Sequence, residues 1–165
     1  MPPLPQFLKK TAAGQGDGSI FGKMKDTEFN GAKVALFVGG RLLVILRDDL
    51  PSIPWPNWWD FPGGGREDGE SAAETVIREI WEEVRVALRP SDLVWERAYA
   101  TPEGGHVRFF VAHLPATVER EIVLGDEGQR WALWAVEDVL AHPRVIPYFK
   151  PRLMDYLSAR KHHLL

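Results

Sequence analysis

Residues 63–86, GGGREDGESAAETVIREIWEEVRV, constrain this chain more than any other stretch. Three consecutive glycines let the backbone come close to a neighbour or a ligand and offer it a carbonyl or an amide. Ser71 then stands three residues before Glu74, the S-x-x-E pattern of a capping box that starts a helix. Ala73, Val76, Ile77, Ile80 and Val84 recur at three- and four-residue steps and predict one buried stripe. Glu79, Glu82 and Glu83 are spaced as i, i+3 and i+4, so they project from one side of that helix, within reach of a common point.

Two readings of the carboxylates compete. Acidic residues on a helix usually form a solvated face, and Glu74–Arg78 and Glu82–Arg85 would then be surface pairs worth about 0.3–0.5 kcal/mol each. Alternatively, like charges this close are there for a hard divalent cation, Mg²⁺ or Mn²⁺, which prefers oxygen ligands. Arg78 can also hold Glu82 at i+4 and steady the cluster.

The remaining chain supplies a frame. Apolar runs at 32–38 and 42–46 flank Gly39-Gly40-Arg41, a hairpin with strands covered on both faces. Residues 47–56, with three prolines, predict a loop, and residues 58–62 a short strand leading into the glycines. A second hairpin is expected over 93–101 and 106–114, and further strands over 118–124 and 131–136. A helical turn is expected at 137–142 and a C-terminal helix over 147–161, with Pro151 near its start. Residues 1–25, rich in Pro and Gly, read as an irregular arm, and 26–165 as one domain. This order of elements predicts an α+β or α/β fold, a mixed sheet sandwiched between helices.

Composition narrows the class of function. The 165 residues are 45% hydrophobic and 26% charged, a globular balance, and a net charge of −3 speaks against a dedicated nucleic-acid binder. With no cysteine there is no thiolate nucleophile, disulfide or cysteine zinc site. The N-terminus lacks the apolar core of a signal peptide, and no apolar run approaches the ~18 residues of a membrane span, so the expected location is the cytoplasm.

Gly64, Glu70, Arg78, Glu79, Ile80, Glu82, Glu83 and Val86 fall in the spacing G-x5-E-x7-R-E-U-x-E-E-x-G-U, where U is a bulky aliphatic. This resembles the Nudix box, the signature of the Nudix hydrolases, with eight of nine specified positions matched. The departure is Arg85, where the family has a glycine that ends the helix in a left-handed conformation. An arginine there costs on the order of 1 kcal/mol if it adopts that conformation; otherwise the helix ends differently.

The resemblance implies cleavage of a nucleoside diphosphate linked to another moiety, with Mg²⁺ required and Mn²⁺ as an alternative. It implies Gly64 (through its carbonyl), Glu79, Glu82 and Glu83 as metal ligands, Arg78 as their orienter, and Glu70 as a structural or outer-sphere contact near the loop. The general base is left among Glu82, Glu79 and, outside the box, Glu127 in the polar loop at 125–129. Arg47, Gly63, Gly65 and Trp58 are the candidates for substrate contacts, Trp58 as a ring on which a base could stack. Arg108 and His106 are minor candidates, while His113, His142, His162 and His163 show no ligand spacing. The expected partner is a small nucleotide or diphosphate, neither nucleic acid nor membrane, and a homodimer is an open alternative.

Three activities fit this class: MutT-like cleavage of nucleoside triphosphates, hydrolysis of ADP-ribose or a nucleotide sugar, and a non-catalytic nucleotide-binding regulator. A regulator should have lost box carboxylates, and none is lost. The isopentenyl diphosphate isomerases of the same fold rely on a cysteine that this chain lacks.

Overall fold

The computed structural model describes residues 28–163, with the His163 side chain left out; the arm expected over residues 1–25 lies outside them. The first hairpin forms as its apolar runs and glycine turn dictate, β1 over Gly31–Val38 and β2 over Arg41–Leu46. Both strands are buried almost throughout because each face of the sheet is covered.

β3 (Trp59–Asp60) pairs antiparallel with β2, and β4 (Gly63–Gly65) pairs antiparallel with the start of β1. The glycines are therefore an extended strand rather than a free loop. The second hairpin, β5 (Leu93–Ala100) and β6 (His106–Leu114), docks through β6 parallel to β1. β7 (Arg130–Trp134) pairs with β2. The result is a mixed sheet of order β3-β2-β1-β6-β5, with β4 and β7 branching from β1 and β2.

Helices cover both faces. α1 (Ala72–Val84) lays Val76, Ile77, Ile80 and Val84 on one face of the sheet, against Val34, Leu36, Leu43 and Phe110. α2 (Val136–Ala141) and α3 (Phe149–His163) cover the other, where Phe149, Leu153 and Tyr156 meet Phe61, Phe109 and Val111. Pro151 falls in the first turn of α3, where its missing N–H has no helical partner to lose. None of the helices among the described residues is long and apolar enough to cross a membrane.

The strand expected over 118–124 does not form. A 3₁₀ helix, Ala116–Glu121, starts directly after Pro115, and the following residues turn to the end of α1 instead of a sheet edge. Val123 N–H donates to Val84 O (3.0 Å) and Gly125 N–H to Glu83 O (2.7 Å). Those carbonyls lie in the last turn of a helix and have no partner within it, so they compete successfully with a β-ladder for these amides. Ile122 is buried against the same helix.

Arg85 does end α1 in the left-handed conformation, φ 58° and ψ 23°, with its N–H donating to Trp81 O at 3.1 Å. Its Nη1 donates to the same carbonyl at 3.1 Å. Arg85→Gly should therefore raise stability by about 1 kcal/mol, the strain of a Cβ in that region, read from the midpoint of urea unfolding. An unchanged or lower midpoint would mean that the side-chain bond to Trp81 outweighs the strain.

Candidate active site

The capping box forms as its residues predict: Ser71 Oγ accepts from Glu74 N–H (3.2 Å) and Glu74 Oε2 from Ser71 N–H (2.8 Å). It starts α1 so that Arg78, Glu79, Glu82 and Glu83 face β4. The contact is close. A Cβ on Gly64 would lie 2.6 Å from the Glu79 carboxylate, so with glycine here this helix side chain rests directly against the strand.

Arg78, only 7% exposed, joins the two elements. Its Nη2 donates to Gly65 O (2.9 Å) and Glu70 Oε2 (3.1 Å), and its Nη1 to Glu79 Oε1 (3.0 Å) and Glu82 Oε2 (3.2 Å). Arg78 is therefore no member of a solvated surface pair, because it is buried and its guanidinium is spent on the box. Glu70 also accepts from Glu67 N–H and Thr75 Oγ1, and although burial opposes it, these bonds and Arg78 hold its carboxyl below the usual range. It thus ties Arg78 to the loop between β4 and α1.

Along the seam of α1 and β4 runs a cleft of about 440 Å³. Of the residues singled out in the sequence, Arg47, Gly63, Gly64, Gly65, Arg78, Glu79, Glu82, Glu83 and Glu127 all line it. Trp58 does not. It packs edge-on against Trp55, ring centroids 5.0 Å apart, and against the core beneath α3. His106 and Arg108 stand on β6, where Arg108 pairs with Glu96. His113 is stacked on Phe37 and His142 on Trp134, both away from the cleft.

Glu127 reaches the cleft through the turn at the end of α1. A Cβ on Gly125 would lie 2.1 Å from Glu82 O, so the glycine lets the 123–125 segment press against the helix end and carry Asp126 and Glu127 to the cleft.

Lys33 and Asp60 were not singled out from the sequence. Lys33 lines the cleft, and its ammonium donates to Asp60 Oδ1 (3.0 Å), Asp60 Oδ2 (2.9 Å) and Phe61 O (3.1 Å). Arg47 donates to the same Asp60 (2.9 Å) and, through Nε, to Pro54 O (2.9 Å). The signal was a lone charge inside an apolar strand: Lys33 among Ala32, Val34 and Ala35, and Asp60 between Trp59 and Phe61. Burial lowers the Lys33 ammonium, but Asp60 and Glu83 outweigh it and hold it above its ordinary value.

Burial pushes the Glu83 carboxyl up to about 8, against the pull of Lys33 and of Gly63 N–H, which donates to Glu83 Oε2 at 2.9 Å. Burial likewise raises Glu79, partly offset by Arg78. Glu79 and Glu82 share Arg78 Nη1 while Glu83 accepts from Gly63 N–H, and among the described residues no three acidic or histidine side chains form a ready metal cluster. All three nevertheless line the same cleft, on the one side of the helix that their spacing predicts.

A family model described as the NUDIX domain matches residues 30–155. The chain belongs to the Nudix family. In sequence it is similar to an RNA pyrophosphohydrolase from Shewanella denitrificans, 54% identical over 35 residues, which are 21% of this chain and 19% of that protein. The match thus spans about a fifth of the curated relative's length. In structure it is similar to the MutT protein of Methanosarcina mazei (TM-score 0.67, 22% identity, 81% of this chain and 96% of that one). It is also similar to a bifunctional NMN adenylyltransferase/ADP ribose pyrophosphatase of Francisella tularensis in complex with AMP and a manganese ion. There the TM-score is 0.63 at 21% identity, over 83% of this chain and 43% of that one. Likenesses at these identities are likenesses of fold.

Nudix hydrolases act on pyrophosphate linkages and generally use divalent metals. The residues here fit such an ion: the donors are hard oxygens only, and a buried carboxyl with a raised pKa is one that a cation would return to the charged form. The raised value also fixes a pH dependence. A carboxyl with a higher pKa folded than unfolded adds stability below about 4.3, the unfolded value, and that contribution is lost as pH rises to about 8. In the presence of a chelator, the melting temperature should therefore carry a component that falls between pH 5 and pH 8. Glu83→Gln should remove that component; equal pH slopes in both proteins would refute the assignment.

Proposed function

We propose that the protein is a Mg²⁺-dependent nucleotide pyrophosphohydrolase, with Mn²⁺ as an alternative, that cleaves a nucleoside diphosphate linked to another moiety. A MutT-like nucleoside triphosphate is the leading substrate. The observation that carries this reading is the cleft itself, where the carboxylates of the box face a glycine strand and the cations Lys33, Arg47 and Arg85. Carboxylates alone repel a polyphosphate; a cleft with both signs can hold one once a metal bridges it.

Glu79, Glu82, Glu83 and the Gly64 carbonyl would hold the metal. When bound, it would neutralise charge on the phosphoryl oxygens and acidify a water. The chain's own residues do the rest. Arg78 keeps Glu79 and Glu82 oriented, the Gly63–Gly65 backbone borders the diphosphate, and Lys33 and Arg47 supply positive charge on the opposite wall.

Two groups suit the proton-accepting role. Glu82 has one oxygen on Arg78 and its other without a protein partner among the described residues. Glu127 lines the cleft and is exposed, so it stays available as an acceptor. Retention of every box carboxylate argues against a purely regulatory nucleotide-binding role.

Hydrolysis should be measured with Mg²⁺ and Mn²⁺ over nucleoside triphosphates, ADP-ribose, dinucleoside polyphosphates, nucleotide sugars and 5′-triphosphorylated RNA. Glu82→Gln and Glu83→Gln should each lower kcat by roughly 10²–10⁴-fold while circular dichroism shows an intact fold. Full activity in both, or turnover indifferent to a chelator, would sink the mechanism. Glu127→Gln separates the two candidate bases: a loss of comparable size assigns the role to Glu127 rather than Glu82.

A further inference from the structure

Arg85 lines the cleft at the C-terminal end of α1, two residues beyond Glu83. A neighbouring cavity of about 270 Å³ shares Arg47, Glu83 and Glu127 with the cleft, but Arg85 is not among the residues that line it. Three features set this arginine apart from the other cations of the cleft.

Its backbone is strained. Arg85 holds φ 58° and ψ 23°, where a residue with a Cβ costs on the order of 1 kcal/mol and glycine costs none. Strain retained beside a site points to a use for the side chain. Attraction to the negative end of the helix dipole does not account for it. A basic residue within the last turn of α1 would gain that attraction without strain, and the last turn holds none.

Its charge is not balanced. Lys33 and Arg47 both pair with Asp60, and Arg78 pairs with the carboxylates around it. Arg85 makes no ion pair among the described residues, although Glu82 stands three positions before it and Asp126 and Glu127 line the same cleft. Among the described residues it is the one cation of the cleft without a carboxylate partner.

Its guanidinium is anchored at one corner. Nη1 donates to Trp81 O at 3.1 Å, the carbonyl that also accepts the Arg85 N–H, while Nε and Nη2 have no partner among the described residues. A planar fork held in this way and left with unused donors suits two oxygens of a single phosphoryl group.

Charge decides which phosphoryl group. One that is linked on both sides carries a single negative charge, whereas a terminal one carries nearly two at neutral pH. The additional charge of a free end calls for a cation that no carboxylate has already neutralised.

We propose that Arg85 binds the terminal phosphoryl group of the substrate and so selects phosphate chains with a free end, such as nucleoside triphosphates, over diphosphates esterified at both ends, such as ADP-ribose and nucleotide sugars. The inference rests on the pyrophosphohydrolase reading above and names the residue that sets its substrate class. It is tested by kcat and KM for nucleoside triphosphates and for ADP-ribose with Mg²⁺ in the wild type, Arg85→Gly and Arg85→Lys. The dissociation constant of inorganic pyrophosphate with Mg²⁺, measured by calorimetry on the same proteins, gives a readout without turnover.

Glycine takes the left-handed conformation freely, so Arg85→Gly stays folded. It should lower kcat/KM for triphosphates by roughly tenfold to a hundredfold, the worth of a charge-assisted hydrogen bond or two, and do so mainly through KM. Pyrophosphate binding should weaken by a similar factor, and the preference for triphosphates over ADP-ribose should fall by roughly tenfold or more. Arg85→Lys keeps the charge without the fork and should recover part of each loss. A helix cap alone would move the unfolding midpoint and leave KM and pyrophosphate affinity where they are. That result, equal losses for triphosphates and ADP-ribose, or turnover confined to substrates esterified at both ends would each overturn the role of Arg85 and leave the hydrolase reading standing. Failure to hydrolyse any phosphoanhydride would overturn that reading and this inference with it.

Discussion

The site depends on one buried guanidinium. Arg78 crosses from α1 to β4 and binds Gly65 O, Glu70, Glu79 and Glu82 at once. Removing its charge from water is costly, and the cost is offset because four carboxylates, those of Glu67, Glu70, Glu79 and Glu82, and a carbonyl surround it. Its planar fork of donors is suited to this; a lysine, with a point charge on a flexible stem, could not hold four partners in fixed directions. The helix is thereby locked to the glycine strand in one register, and the carboxylates that line the cleft take their directions from it.

Close backbone approach does the second half of the work. Gly64 lets the Glu79 carboxylate rest on β4, and Gly125 lets a turn press on the end of α1. These contacts grip the helix near its middle and at its C-terminus, so the cleft between them has stiff walls. The same turn explains how α1 tolerates arginine where the box has glycine. Val123 and Gly125 supply amides to the last carbonyls, so the helix end is satisfied from outside while Arg85 takes the left-handed conformation itself.

On the other wall, charge is balanced in a different way. Lys33 and Arg47 share Asp60, which places two cations opposite the box carboxylates with a net positive charge between them and their common anion. A metal-bridged polyphosphate would meet acids on the helix side and cations on the sheet side. Arg47 further links the cleft to the neighbouring cavity, through its bonds to Asp60 and to the carbonyl of Pro54.

Much of this was legible in local pattern. The capping box, the buried stripe, both hairpins and the terminal helix follow from spacings of residues near one another in the chain, because caps, helix faces and tight turns are local physics. The clustering of the box acids on one side of α1 was legible for the same reason: i, i+3 and i+4 are neighbours on any helix. Three things needed the folded chain. Residues 118–124 have strand-like composition, but the unpaired carbonyls at the end of α1 claim their amides, and nothing local announces that competitor. Trp58 looks available for stacking in a polar loop, yet the core beneath α3 takes it. Lys33 and Asp60 lie 27 residues apart, and only the pairing of β1 with β4, which brings Lys33 opposite Gly63, sets them side by side. The sequence by itself determined which bond-breaking chemistry the helix can support. The tertiary structure decided what stands opposite it, because the facing wall is assembled from strands and loops whose neighbours are chosen by packing and by long-range hydrogen bonds rather than by chain order.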